Sequence, residues 1–345
     1  MQNLETQIQN ETPETGAEYL RRLAGDTREA GQSETAFDIE AAADKIDQQA
    51  AEIETLRDKA ARADAAAIRS ADALDAVTKH IGLGSYAEWD EERRTAFLVG
   101  ELESKRPLIA NDLECSAEVK EVLDTFKMIA HLQKVCPGSL GTYIISMATV
   151  ASDVLAVVLL QRECGGDPAA LLNVAPLFER LDDLRDGPAQ LRRLFSVPWY
   201  HKHIKGKQEV MIGYSDSGKD AGRLAAAWAL YEGQEMATHV GNEFGVKLTL
   251  FHGRGPSHLA IMSQPPATIN GRLRVTVQGE VIEQNFGEHE NCFHTMDLYT
   301  AATLEHTLKP PDGPVDEWRE VMATMEKTSC ARYREVVFQT PDFNP

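Results

Sequence analysis

Beyond Gly138 the chain alternates short runs of β-branched and aromatic residues with longer helical stretches, and no other feature restricts its fold so tightly. Five runs carry the strand pattern: TYIISMA (142–148), LNVAPLF (172–178), EVMIGY (209–214), VKLTLF (246–251) and RLRVTVQGEVIEQ (272–284). Between most of them lies a segment of helical character. SDVLAVVLLQREC is a helix starting at Ser152, with Asp153 in its first turn, where a carboxylate meets the positive end of the helix dipole. AGRLAAAWALYEGQEMATHV (221–240) is a helix that sets Leu224, Ala227, Trp228 and Tyr231 on one face, and a last helix covers 318–338. Strands joined through a helix pair in parallel rather than as hairpins, so the expected architecture is α/β.

The first 35 residues are polar and rich in Glu, Thr and Gln, with little to bury. From Phe37 the pattern turns helical: Ile39, Ala42, Ile46, Ile53, Leu56, Ala60, Ala63 and Ala67 fall on an a/d seam interrupted at Gln49. That seam suits a helical arm or short coiled coil over 37–67, and equally an amphipathic helix lying on its own domain. Residues 71–135 continue as helices broken at Gly82, Gly84 and Pro107. Asp112 and Ser116 are candidate N-caps around the helix containing AEVKEVLDTFKMIAHL.

A net charge of −19 opposes binding to nucleic acid, whose phosphates need a surplus of Lys and Arg. An anionic substrate would need a local cluster of cations, or a metal ion, inside that repelling field. Grouped Arg, Lys and His residues are therefore informative. Cys115, Cys136, Cys164, Cys292 and Cys330 are scattered with no C-x-x-C pair, so neither a disulfide framework nor a zinc site is indicated. The longest apolar run, VLAVVLL (154–160), is too short to cross a bilayer. The N-terminal MQNLETQIQNETPETG has no signal- or transit-peptide character, and the chain reads as cytoplasmic. Its 345 residues suffice for one large domain or two ordinary ones.

Reactive side chains fall at the C-terminal ends of successive strand-like runs. APLF delivers Glu179; VMIGYS delivers Asp216, with Lys219 a short turn on; KLTLF delivers His252 and Arg254. In a parallel α/β barrel those strand ends converge on one rim, where active sites lie. Two carboxylates there would hold a hard divalent cation such as Mg²⁺. Arg254 offers a planar fork for phosphate or carboxylate, and His252 can exchange a proton with a reacting oxygen. Taken singly, each has an ordinary explanation: a helix-start Glu, an Asp-Ser-x-Lys cap, a flexible His-Gly-Arg-Gly turn. Their succession on adjacent strand ends favours a site. MIGYSDSGKDAG (211–222) also has the G-x-x-x-x-G-K spacing of a phosphate loop, but Asp220 stands where the Mg²⁺-binding Ser or Thr belongs, so that reading is rejected.

Several stretches resemble phosphoenolpyruvate carboxylases: GKQEVMIGYSDSGKDAGRLAAAW, VKLTLFHGRG, LRVTVQGEVIEQNFG, YTAATLEHTLKPP, YIISMATVASDVLAVVLLQREC and IGLGSYAEWDEERRTAFLVGELESKRPLI. The similarity runs from about Ala71 to Phe343, and GYSDSGKDAG is highly specific to that family. The resemblance implies a mainly α protein with α/β character: an incomplete TIM-type (β/α) barrel surrounded by helices, covering 68–345, with 1–67 an acidic helical segment outside it. It also implies Mg²⁺ or Mn²⁺, phosphoenolpyruvate and bicarbonate as substrates, oxaloacetate and phosphate as products, and a cytoplasmic homotetramer feeding the tricarboxylic acid cycle. By the same resemblance Glu179 and Asp216 are metal ligands, Lys219 is the signature lysine, and His252 and Arg254 handle the phosphate and carboxyphosphate. Arg69, in AIRSADALDAV, is a weaker match to a phosphate-binding arginine.

The departures shape the expectation as much. Pro256 follows FHGRG directly, where the family has further glycines and a second arginine on a mobile loop that shields the enolate. The region bearing the family's essential histidine has no counterpart, nor do its C-terminal helices. With five of the fold's strands the sheet cannot close, and it leaves edges open to another chain. The expected protein is a carboxylase by lineage whose chain alone is impaired; the alternative is an inactive structural partner of full-length subunits.

Overall fold

A computed structural model describes residues 66–338, apart from 111, 254–264, 266, 267, 270, 271, 277, 278 and 311, together with residues 21, 22, 25, 41 and 44. Backbone contacts divide the chain into two compact units, Met1–Asp64 and Ala65–Pro345. In the first unit the described residues are helical, and Arg21 donates to Asp44 at 2.8 Å. The seam over 37–67 falls largely outside the described residues.

The second unit is mainly helical around a parallel sheet. Its opening helices are α1 (Ala66–His80), α2 (Glu91–Glu103) and α3 (Ala117–Val135). Then come β1 (Tyr143–Ile145), α4 (Ala151–Glu163), β2 (Val174–Phe178), α5 (Leu181–Phe195), α6 (Pro198–His203) and β3 (Lys207–Ile212). The chain continues through α7 (Ser215–Ala221), α8 (Arg223–Glu243), β4 (Lys247–His252) and β5 (Arg274–Val275). It ends with α9 (Gly279–Phe286), α10 (His289–Leu308) and α11 (Asp316–Phe338). The five strands are parallel in the order β1-β2-β3-β4-β5, and the sheet curls as part of a barrel.

Helix α4 shows why burial overrides amphipathicity here. Nearly every side chain from Ala151 to Gln161 is buried, so a helix that is apolar all round becomes the centre of a layer packed by α1, α2, α3 and β2. It begins one residue before the expected Ser152. The Asp153 carboxylate accepts from the Thr149 and Val150 amides at 2.9 and 3.1 Å, closing the helix start. Ser116 caps α3, accepting from the Val119 amide, as its position suggested; Asp112 does not cap, and is exposed.

Helix α5 carries Pro188, which has no N–H to give to the Leu184 carbonyl. Helix α8 crosses there so closely that a Cβ on Gly233 would lie 2.7 Å from that oxygen. The α5–α8 pair then covers one face of the sheet. In β3 and β4 that face consists of Gln208, Val210, Ile212, Leu248, Leu250 and His252, all buried, while Glu209, Met211, Thr249 and Phe251 alternate with them on the half-exposed face. On the latter, Arg274 of β5 donates to Glu209 of β3 and lays its guanidinium 4.3 Å above the Phe251 ring, tying the short last strand down.

Two readings of the sequence need correction. The run 272–284 is a strand only at Arg274–Val275; from Gly279 it is helix, because Glu280, Glu283 and Gln284 favour a helix and the β-branched pair Val281-Ile282 fits either state. The SDSGK turn is α7, a short helix of seven residues. Leu224, Ala227, Trp228 and Tyr231 do share one face of α8, lining one cavity, while Ala225, Ala226, Ala229 and Leu230 are buried. No helix among the described residues is long and apolar enough to cross a membrane.

Candidate active site

The sheet register aligns one row of residues across four strands: Phe178 opposite Ile212, Ile212 opposite His252, and His252 opposite Val275. The next residue of each strand lies at the C-terminal edge, held by continued ladder bonds: Gly213 N to Phe178 O at 2.8 Å, Gly253 N to Ile212 O at 2.8 Å, and Thr276 N to His252 O at 2.9 Å. Glu179 therefore leaves β2 level with Gly213 at the end of β3. The approach is so close that a Cβ on Gly213 would sit 2.4 Å from Glu179 Cβ and 3.5 Å from its Oε2. Only glycine leaves the Glu179 side chain its present place.

From Gly213 the chain turns into α7, which carries Asp216 in its first turn. The Asp216 side chain lies within hydrogen-bonding reach of that of Glu179, so two carboxylates from adjacent strand ends meet. Lys219, one turn on, donates to Asp216 Oδ1 at 3.1 Å. Burial pushes the Asp216 carboxyl up, but the hydrogen bond and charge of Lys219, the contact with Glu179 and the Ser215 hydroxyl together hold it below the ordinary carboxylate value. Lys219 itself is 77 % exposed, free to swing toward a ligand.

His252 closes β4. Its ring is 3 % exposed, and burial lowers its pKa to about 4, so it is neutral near pH 7. Tyr214 Oη is 2.7 Å from Nδ1; a hydroxyl donating there leaves the ring proton on Nε2. Tyr214 lies two residues before Asp216, so one turn links the imidazole to the carboxylate pair. Arg254 lies outside the described residues. Arg69 is on α1, where its charge acts on Tyr143 of β1, and no described contact joins it to Glu179, Asp216 or His252.

Two groups that the sequence reading overlooked hold α7 in place. Tyr333 of α11 donates to the Lys219 carbonyl at 3.0 Å, and Arg334 reaches the Asp220 carbonyl at 3.1 Å and its carboxylate at 2.6 Å. Gly222, at φ +80°, ends α7 against Tyr333, whose Cγ would lie 2.8 Å from a Cβ there. These contacts span more than a hundred residues, and no local pattern announces them.

Among the described residues no group of three or more His, Cys, Asp or Glu could hold a metal ion. The neighbouring Glu179 and Asp216 carboxylates could hold a hard divalent ion, which keeps several waters and takes one or two protein carboxylates.

Comparison with known proteins matches the sequence to a family. A family model described as phosphoenolpyruvate carboxylase matches residues 61–345. Phosphoenolpyruvate carboxylase 1 of Chlamydomonas reinhardtii is 58% identical over 284 residues, which is 80% of this chain and 28% of that protein. Phosphoenolpyruvate carboxylase 2 of Arabidopsis thaliana is 58% identical over 284 residues (80% and 29%), and the Picea abies enzyme 58% over 283 (80% and 29%). The chain thus spans less than a third of the length of these relatives. With the family model covering most of its residues, the chain belongs to the phosphoenolpyruvate carboxylase family.

Proposed function

We propose that this chain carries the metal- and phosphate-handling wall of a Mg²⁺- or Mn²⁺-dependent phosphoenolpyruvate carboxylase, converting phosphoenolpyruvate and bicarbonate to oxaloacetate and phosphate in the cytoplasm. The observation that carries this reading is the meeting of Glu179 and Asp216 at adjacent strand ends, beside Lys219. In this reading 68–345 form the partial barrel domain and 1–67 lie outside it.

Glu179 and Asp216 would hold the ion, which supplies Lewis-acid stabilisation of charge developing on the substrate oxygen. Lys219, which pairs with Asp216, would add a mobile positive charge at the same place. Neutral His252 presents Nε2–H as a donor to a phosphate or carboxylate oxygen, with Tyr214 fixing the tautomer. Arg254 would offer a planar fork to the phosphoryl group, with Arg69 of α1 as a further candidate phosphate contact. A bicarbonate oxygen attacks phosphorus and the enolate oxygen leaves, giving carboxyphosphate. That species loses CO₂, which bonds to the enolate carbon. Pro256, in place of the expected loop, would leave the enolate open to protonation by water, so the chain alone works poorly.

A second reading has its own support. β1 and β5 are the edges of a five-stranded parallel sheet, and edges of this kind accept another chain. The protein would then be an inactive partner joined to full-length subunits of a homotetrameric enzyme. A coupled assay separates the two. Bicarbonate-dependent oxaloacetate formation that disappears in Asp216→Ala supports the enzyme. No turnover, with the chain eluting together with a complete carboxylase, supports the partner.

A further inference from the structure

Residues 187–208 hold five Lys or Arg side chains and two His, with no Asp or Glu, in a chain whose net charge is −19. The fold gathers the later part of this stretch at the N-terminal ends of β3 and β4, about 17 Å along the strands from the edge that carries Glu179 and Asp216. Lys207 opens β3, Lys247 opens β4, and the register sets them directly opposite each other. Lys202 of α6 and Lys205 flank the turn into β3, where Lys207 N donates to Ile204 O at 3.0 Å and Lys247 N to Gly206 O at 2.8 Å. His201 Nε2 donates to the Phe244 carbonyl at 2.9 Å, holding α6 against the approach to β4. All four lysines are exposed, and none makes an ion pair with a described residue.

Two features of this patch work against folding. Like charges opposite each other on neighbouring strands repel, and Lys207 and Lys247 are such a pair. The Ile204–Lys207 turn has positive φ at both central residues, +51° at Lys205 and +72° at Gly206, a form that Asn-Gly adopts most readily. Lysine has a Cβ and no short polar group to bond its own backbone, so it is strained there. Burial, and then the charge of Lys205, lower the pKa of His203, whose ring stacks on Trp199 with centroids 4.9 Å apart. Positive charge is thus concentrated here beside a flat aromatic pair, in a chain that is acidic as a whole.

We propose that this end of the sheet docks an extended acidic peptide segment of a partner protein, with carboxylates at alternate positions. Those carboxylates recur about every 6.6 Å, within reach of lysine heads rooted on strands about 4.8 Å apart. A longer polyanion, such as nucleic acid or an anionic bilayer, extends beyond the ~8 Å over which charges act in physiological salt and meets the negative surplus of the rest of the chain. A short peptide meets only the patch. The proposal does not depend on the reaction at Glu179 and Asp216.

The test is fluorescence anisotropy of a fluorescein-labelled peptide, Glu-Gly-Glu-Gly-Glu-Gly-Glu, titrated with the full chain. Anisotropy should rise saturably and the affinity should fall with added salt, while the same peptide with Gln in place of Glu should not bind. Lys205→Asn combined with Lys247→Gln should bind about tenfold more weakly, two exposed charge contacts having been removed. The urea midpoint of that variant should rise, because it relieves both the turn and the like-charge pair; the same readout shows that it folds. Lys105→Gln combined with Lys309→Gln, the same change in net charge at two other exposed positions, should bind like the native chain. No saturable rise with the native chain, or equal weakening in the two double variants, would overturn the proposal. So would tighter binding of phosphatidylserine vesicles or of a single-stranded oligonucleotide, which would make the patch a general polyanion surface.

Discussion

The closest packing around the carboxylate pair is at Gly213, and replacing it with alanine is the sharpest perturbation the fold offers. The added methyl would lie 2.4 Å from Glu179 Cβ and 3.0 Å from Glu179 Cα. Ordinary contact begins at 3.4 Å, so the two strand ends must part by about 1 Å at the nearer atom. Neither side yields easily. Gly213 N is bonded to Phe178 O at 2.8 Å, and Gly253 N to Ile212 O at 2.8 Å, so both flanks of the Gly213 backbone are pinned. Overpacking of this kind costs about 1–3 kcal/mol in stability. A displacement near 1 Å in a ligand set costs on the order of 10²-fold in function. Gly218, five residues on, is the control: a Cβ there meets nothing within 4 Å, and its φ is not positive. Gly218→Ala should instead stabilise α7 by about 0.5–1 kcal/mol. Urea unfolding followed by circular dichroism gives the stability, and calorimetric Mn²⁺ titration gives the affinity. If Gly213→Ala matches the native chain in both, the claim that Glu179 is positioned by contact with that glycine is wrong.

Other predictions concern the imidazole, the brace and the core. Neutral His252, with a pKa of about 4 against an ordinary 6.5, binds its proton later on acidification than the unfolded chain does. Its contribution to stability is therefore complete above about pH 6.5 and is lost as the pH falls toward 4, by up to ~3 kcal/mol; the urea midpoint of His252→Gln should fall less steeply over that window. Tyr214→Phe should change the tautomer balance, seen as a move of the His252 ring ¹⁵N shifts toward Nδ1–H; unchanged shifts would remove Tyr214 from the account. Arg334→Ala, which frees the Asp220 end of α7, should weaken Mn²⁺ binding about tenfold with little change in the unfolding midpoint. Leu155→Ala, at the fully buried centre of α4, should cost about 3 kcal/mol in urea unfolding.

What could be read from the sequence follows the range of the forces involved. The first four strands were legible because their β-branched and aromatic residues reflect local preference and burial together. The last was not, because a two-residue strand leaves no periodicity to detect and its helical continuation shares the same apolar letters. Helix α7 was hidden by its own composition: Ser, Asp and Gly compete with helix in short peptides, and here Tyr333 and Arg334 supply the missing satisfaction from α11. The same separation in sequence concealed the brace. Leu224, Ala227, Trp228 and Tyr231 were placed together on one face of α8, and they line one cavity, because the helical period decides which side chains share a side whatever that side meets. Glu179, Asp216 and Lys219 could be grouped in advance because parallel strands with aligned ends bring whatever follows them to one edge. Tyr214 lay inside the same motif, and its tyrosine hydroxyl, two residues from Asp216 and one strand from His252, was the available signal.

The central claim is that Glu179 and Asp216 form one divalent-ion site. Electron paramagnetic resonance can count bound Mn²⁺ per chain in the native protein, in Glu179→Gln and in Asp216→Asn, with folding checked by circular dichroism. The account predicts a single tight ion in the native chain and its loss from both folded variants; full Mn²⁺ occupancy persisting in either one would contradict it.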